Sequence, residues 1–339
     1  MSGDGLVTRA VTLRSRPQGP PAAENFEIRE RELPALSDGQ VLIDTVILSV
    51  VPAMRSWMDE QSYLGPGIKV GRSLAGPATG VVRATKHPGL AVGDVVQGLW
   101  AWQEQVVVDG RSVRRLDTRG ASLELWASVL GNSAFAAWVG MTQIGRPQAG
   151  ETVVVSAASG GVGAIAGQLA RRAGARVVGI AGGPTKCAYV VEQLGYDSCL
   201  DHREPDLGER LDAACPNGVD VDFENVGGEV LAAVFARMNK FGRVVMCGMV
   251  AEYNRDREYS SPSFWPIVSR ELTVRGFLSN SYNHLTRQFL DEMTPLALSG
   301  EIHQPVHVGR GLENAPAAFI DLLSGAQLGK CLVRLRPDP

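Results

Sequence analysis

The residues of this chain whose types and spacing point most directly to chemistry are Ser156-Ala157-Ala158-Ser159-Gly160-Gly161-Val162-Gly163. They follow the apolar run Val153-Val154-Val155 and open a stretch, Gly161 to Arg172, that reads as a helix. Strand, tight glycine turn and helix in that order suit a pyrophosphate. The helix N-terminus offers free N–H groups and the positive end of its dipole. Against G-x-G-x-x-G the key positions fall on Ala158, Gly160 and Gly163. Gly160 lets the backbone approach a phosphate, and Gly163 lets the helix pack on the strand. Ala158 replaces the first glycine. A glycine turn alone is weak evidence. With strands and helices alternating around it, a dinucleotide site is the expectation.

The end of the next strand reads Val178-Gly179-Ile180-Ala181-Gly182-Gly183-Pro184-Thr185-Lys186. An NAD site usually places a carboxylate there to bind the ribose 2'-hydroxyl. This stretch has none, and a carboxylate would repel a 2'-phosphate. Glycines leave room and Lys186 offers a positive charge, which suits NADP(H). Lys186 as a solvated helix residue stays open. Later strand ends, Glu224-Asn225-Val226-Gly227-Gly228 and Cys247-Gly248-Met249-Val250, would face the nicotinamide half. Asn225 could bond a ribose hydroxyl or the carboxamide, or could simply cap a turn.

Other chemistries lack their residues. No Cys/His cluster has zinc spacing. His87 is the only histidine in the N-terminal half, which has no cysteine. Ser156-Ala157-Ala158-Ser159-Gly160 is not a G-x-S-x-G elbow. His202, His284, His303 and His307 have no nucleophile in register. The catalyst is then the cofactor, with the protein orienting it and supplying oxyanion donors.

The elements that must position these residues form two patterns. The first third is rich in short strands, such as Gln40 to Val50, Gly80 to Ala84, Val92 to Gly98 and Glu104 to Val108, with Gly and Pro between them. This suggests an irregular β-barrel or sandwich. Leu123 to Ile144 reads as helices. From Gly150 onward, strands at 153–156, 176–180, 198–200, 219–224, 242–247 and 272–277 alternate with helices at 161–172, 185–194 and about 228–238. That alternation means a parallel sheet covered on both faces. Lys330 to Leu335 is strand-like again and is expected to rejoin the first sheet. The active site is expected in the cleft between the domains.

The whole chain has 339 residues, enough for two domains. It carries 33 Lys+Arg against 36 Asp+Glu, a balance that gives no footprint for nucleic acid or a membrane surface. No stretch of about 18 uninterrupted apolar residues occurs, so no membrane span is expected. Met1 to Arg9 does not read as a signal peptide. Five scattered cysteines without a CxxC read as free thiols in a reducing compartment, hence the cytoplasm.

The sequence resembles the zinc-independent medium-chain dehydrogenases/reductases, in the branch of the prostaglandin reductases (leukotriene B4 12-hydroxydehydrogenases) and 2-alkenal or curcumin reductases. The resemblance runs through Ser15 to Pro20, Glu24-Asn25-Phe26, Met54-Arg55, His87-Pro88, Val92 to Val96, Ser156 to Gly163 and Gly179 to Gly183 with Lys186-Cys187. It continues through Phe223 to Gly228, Cys247-Gly248, Tyr253-Asn254, Gly276-Phe277 and Gly329-Lys330. It implies an α/β architecture: a GroES-like β-barrel domain over 1–125, a doubly wound Rossmann domain over 126–305, and a return to the first domain over 306–339. It implies a homodimer, and NADPH-dependent reduction of the C=C bond of α,β-unsaturated aldehydes or ketones.

It also implies cofactor contacts at Ala158, Ser159, Gly160, Gly161, Val162, Gly163, Gly183, Lys186, His202, Asn225, Cys247, Tyr253 and Phe277. Substrate contacts fall on Met54, Arg55 and Tyr282, and Tyr282 is the candidate catalytic residue. Lys186 takes the 2'-phosphate position, and His202 stands where many relatives carry a second tyrosine contact. Three departures bear on the substrate. Ala53 replaces an aromatic residue, Gln327 replaces an asparagine, and the loop between Gly67 and Gly80 differs.

The mechanism this suggests is hydride transfer to the β-carbon of an enone. The carbonyl oxygen would be held by the ribose 2'-hydroxyl and by Tyr282, and solvent or a tyrosine hydroxyl, a better donor than base at neutral pH, would then protonate the α-carbon. Tyr282 as an aromatic wall stays open. So do two other functions, a quinone reductase of the same fold and a non-enzymatic NADPH-binding protein.

Overall fold

The computed structural model describes residues 6–62, 65–118, 120–254 and 263–339. The first five residues of the N-terminal stretch lie outside them. The chain divides into two compact units. One comprises Met1–Ala127, Val306–Gln327 and Cys331–Pro339; the other comprises Ser128–Pro305 and Leu328–Lys330.

The first unit is built on a seven-stranded sheet. Its spatial order is Val306–Arg310, Lys330–Arg334, Gln40–Val50, Ala75–Thr85, Val95–Ala101 and Val113–Arg115, with Gln105–Asp109 also pairing on Gln40–Val50. The long strand Gln40–Val50 alternates buried positions early and is buried throughout from Thr45 on. This follows from its partners, since it pairs antiparallel with three strands. Val7–Leu13 and Phe26–Glu32 make a separate two-stranded ribbon. The helix Ala315–Leu323 brings Phe319 into this core. Its ring meets Phe26 and Trp102 edge-on at 6.4 and 6.0 Å, a favoured aromatic geometry.

The second unit holds six parallel strands, β1 (Thr152–Ser156), β2 (Arg176–Ala181), β3 (Ser198–Asp201), β4 (Val219–Glu224), β5 (Met238–Met246) and β6 (Thr273–Gly276). Their order across the sheet is β3-β2-β1-β4-β5-β6. Helices α1 (Gly163–Arg172), α2 (Pro184–Glu192), α3 (Leu207–Ala214) and α4 (Gly228–Phe235) follow β1 to β4 in turn. Every residue of β1 is buried, so Val153, Val154 and Val155 contribute about 2 kcal/mol each relative to exposure. On one face Val154, Val178, Ile180 and Val244 pack against Leu211, Val230, Leu231, Val234 and Phe235. The strand order reverses between β1 and β4. That opens a crevice at the carboxyl ends of the strands, where ligands of such sheets bind.

Several boundaries differ from the sequence reading: the strands read at Gly80 to Ala84 and Val92 to Gly98 run Ala75–Thr85 and Val95–Ala101. The apolar stretch before the sheet is two short helices, Leu123–Ala127 and Asn132–Val139, running into a π-helical turn at Gly140–Gly145. Gly140 is required there, because a Cβ would stand 2.5 Å from the Phe223 ring. The fourth helix ends at Phe235 rather than near Met238. Met238 already pairs with Val219, so β5 starts four residues before Gly242.

Candidate functional site

The glycine turn links β1 to α1. Ala157 takes a left-handed φ of 48°, and the Gly160 N–H donates to its carbonyl at 2.9 Å, closing the turn. A Cβ on Gly163 would run into that same carbonyl, so only glycine fits. Ala158, standing for the first glycine, is fully buried. No side chain caps α1, whose N-cap is Val162. The Ala164 N–H donates back to the Gly160 carbonyl at 3.0 Å, and those of Ile165 and Ala166 to the Val162 carbonyl at 3.1 and 3.0 Å, so donors for an anion come from the turn before them. The Ser159 carbonyl accepts the Gly329 N–H at 2.9 Å. Beside Gly161 lie the aliphatic chain of Lys330 and the Gln304 amide. Both polar atoms of that buried amide are without a partner among the described residues. An uncapped helix start with an orphaned amide beside it fits a pyrophosphate.

At the end of β2 the loop Gly182-Gly183 leads into α2. Gly183 has φ 96°, which favours glycine, and Lys186 lies in the first turn. His202 and Arg203 reach the same loop from the end of β3. A Cβ on Gly182 would lie 2.9 Å from His202 Nε2 and 3.2 Å from Arg203 Nε, and one on Gly183 would lie 3.5 Å from Arg203 Nη1. Burial lowers the Lys186 pKa, and the Arg203 charge adds to it. Burial also pulls His202 below its ordinary value. Asp201 opposes this, while Arg203 and Lys186 reinforce it. Three basic groups therefore crowd one loop at an electrostatic cost that a bound phosphate would offset.

β3 also supplies a carboxylate that the segment 178–186 lacks. Asp201 Oδ1 accepts the Gly183 N–H at 2.9 Å and the Arg203 N–H at 3.0 Å. These backbone donors hold its carboxyl below the usual range.

At the ends of β4 and β5 the turn after Glu224 is organised by that buried carboxylate. Its Oε1 accepts the Ser156 hydroxyl at 2.9 Å, the Gly227 N–H at 2.7 Å and the Val226 N–H. The Asn225 N–H donates to Ser156 Oγ at 2.7 Å, and its Nδ2 donates to the Ser156 carbonyl at 2.8 Å. The amide is thereby oriented, with Oδ1 left as the acceptor. Cys247 packs behind Glu224, and burial with the Glu224 charge pushes its thiol up to about 12. The Tyr253 hydroxyl lies 3.5 Å from where a Cβ on Gly248 would stand. Asp222, two residues before Glu224 on β4, is wholly buried, and neither of its oxygens has a partner among the described residues.

β5 and β6 end on an open pocket of about 500 Å³ lined by Met246, Gly276, Phe277, Leu278, Ser281 and Tyr282. Phe277 and Tyr282 meet edge-on at 6.2 Å, and His284 stacks with Tyr282 at 6.3 Å. Arg275 Nη2 donates to the Tyr282 hydroxyl at 2.9 Å.

The second unit thus carries all the sequence-predicted cofactor residues on loops and first helical turns beyond the carboxyl ends of its strands. Met54 and Arg55 belong to the first unit. Met54 is fully buried in that unit's core. Arg55 is 2% exposed, and its guanidinium is committed to Asp59 Oδ1 at 2.8 Å and to the Gly19 carbonyl at 2.9 Å. Neither offers a free polar atom.

Sequence reasoning passed over Arg203, Asp201 and Arg275. Arg203 was visible as a second basic residue directly after His202. The other two had no local signal. Among the described residues, no three His, Cys, Asp or Glu side chains gather as a metal site.

Residues 9–116 match the family described as the N-terminal domain of oxidoreductase, and residues 161–295 match the one described as zinc-binding dehydrogenase. The chain is 38% identical to an NADPH-dependent curcumin reductase of Escherichia coli (strain K12), over 97% of each chain. It is 34% identical to prostaglandin reductase 1 of Rattus norvegicus, over 97% of this chain and 99% of that one. The crystal structure of CurA in complex with NADPH from Vibrio vulnificus superposes with a TM-score of 0.92 at 35% identity, covering 97% of this chain and all of that one. The chain belongs to the medium-chain dehydrogenase/reductase family, in the branch of the prostaglandin, curcumin and 2-alkenal reductases.

Proposed function

We propose that this protein uses NADPH to reduce the C=C bond of α,β-unsaturated aldehydes or ketones. The observation that carries the cofactor is the gathering of Lys186, His202 and Arg203 around Gly182 and Gly183. The substrate class rests on kinship with the curcumin, prostaglandin and 2-alkenal reductases.

In this reading the start of α1 holds the pyrophosphate through Ala158 to Gly163, and the three basic residues hold the 2'-phosphate. Asn225 Oδ1 accepts a ribose hydroxyl. Cys247, Tyr253 and Phe277 border the nicotinamide half. Bound NADPH supplies a hydride for the β-carbon of the substrate. Tyr282 faces the pocket and donates to the negative charge that develops on the substrate, where a preorganised donor helps most. Arg55 acts within its own unit, fastening the Gly19 backbone to the helix Met54–Trp57.

The same reading includes a homodimer. All four residues of β6 are exposed at the edge of the sheet. Val274 among them is apolar, and exposed Trp265, Val268 and Leu278 accompany them. Such an edge invites pairing with a second copy. A cytoplasmic setting suits the five free cysteines. Among the described residues no helix is long and apolar enough to cross a membrane.

The test is NADPH consumption, with NADH in parallel, on a short 2-alkenal, a long-chain enone, a diarylheptanoid dienone and a quinone. Enone or enal turnover with NADPH preferred supports the reading. Saturable NADPH binding with no turnover on any acceptor overturns it.

A further inference from the structure

Arg275 is the last residue but one of the exposed strand β6, and its guanidinium bonds Tyr282 rather than pairing with an acid. Nη2 donates to the phenolic oxygen at 2.9 Å, and among the described residues no carboxylate pairs with Arg275. The phenol ring also meets Phe277 edge-on and stacks with His284. Gly276, Phe277 and Tyr282 all line the open pocket, so this oxygen lies at the rim of a cavity large enough for a small ligand.

The direction of the bond matters. A guanidinium has five donors and no acceptor, whereas a phenol hydroxyl has one proton and can accept. The Tyr282 oxygen must therefore be the acceptor, and its own proton has to point elsewhere.

We propose that Arg275 is a positioning residue that makes the Tyr282 hydroxyl an obligate donor into the pocket, and so makes Tyr282 the acid of the reduction. This rests on the enone-reductase reading. Hydride addition to the β-carbon leaves an enolate. The Tyr282 O–H bond then breaks as a C–H bond forms at the α-carbon, with the enolate electron pair taking the proton. The phenolate so formed is held by Arg275 and takes a proton back from water. The net addition is one hydride and one proton across the C=C bond.

The test compares wild type with Arg275→Met, Arg275→Lys, Tyr282→Phe and the double variant Arg275→Met/Tyr282→Phe. The readouts are kcat and KM on an enal that the wild type reduces, NADPH binding by fluorescence, and melting temperature. Acid catalysis commonly contributes about 10²–10⁴-fold, so Arg275→Met is expected to lower kcat by about tenfold or more with NADPH binding unchanged. Arg275→Lys restores the charge and a donor without the fork, and recovers part of the loss. In the Tyr282→Phe background, removing Arg275 costs nothing further, since the two act as one unit. If Arg275→Met does not fold, Arg275→Gln takes its place in the same comparison. Wild-type kcat in the Arg275 variant overturns the proposal. So does an equal loss with and without Tyr282. A wild type that reduces no enal or enone fails at the earlier reading and takes the proposal with it.

Discussion

The backbone N–H of Gly183 donates to the Asp201 carboxylate at 2.9 Å, tying the loop after β2 to the end of β3. Asp201 spends its charge on this bond and on the Arg203 N–H, and so holds His202 and Arg203 against the loop that leads to Lys186. Cofactor choice should be decided at this junction. Arg203→Gln and Lys186→Ala are each expected to weaken NADPH binding about tenfold, equivalent to about 1.4 kcal/mol, and to leave NADH binding unchanged. Fluorescence titration of both cofactors against each variant checks this.

The floor of the pyrophosphate loop depends on Tyr196. Its hydroxyl donates to the Gly163 carbonyl at 2.5 Å, and burial raises its pKa, so it is a neutral donor. Tyr196→Phe is expected to cost about 1 kcal/mol by removing one buried bond. Gly167→Ala should cost about 1–3 kcal/mol, because its Cβ would enter the Tyr196 ring. Chemical denaturation of the two variants separates these effects.

Asp222 makes stability fall with rising pH. Burial holds its carboxyl well above the ordinary range, and the Glu224 charge adds to this. A carboxyl raised in the folded state stabilises fully below its unfolded value of about 3.9. That contribution is lost as pH rises toward the folded value. The melting temperature should therefore decline as pH rises above about 4. Asp222→Val should flatten the decline and raise the midpoint at about pH 8 by about 2–4 °C, as a gain of about 1 kcal/mol would. Thermal melts across that range provide the measurement.

The edge strand β6 gives a test of assembly. Val274 is 38% exposed there, among other uncovered apolar side chains. A charge on a sheet edge opposes pairing with another chain. Val274→Lys is expected to convert a dimer to a monomer in sedimentation, with NADPH binding retained.

Much of this molecule is written locally in its sequence. The run Val153-Val154-Val155, the glycine turn and the helix after it specify a phosphate site, because each is a short-range preference of backbone and burial. The glycines and the missing acid between Val178 and Lys186 point to NADPH for the same reason. The alternation of strands and helices requires a parallel sheet, and the resemblance carried the family. What sequence alone leaves open is which strand ends are neighbours. Asp201 meets Gly183 because β3 lies beside β2, and Glu224 holds Ser156 because β4 lies beside β1. Arg275 meets Tyr282 because the chain folds back after β6. The burial of Asp222 likewise depends on α4 and β5 closing over β4. Periodicity states which face of a strand is inward. Only the packed sheet decides what each inward or terminal side chain meets.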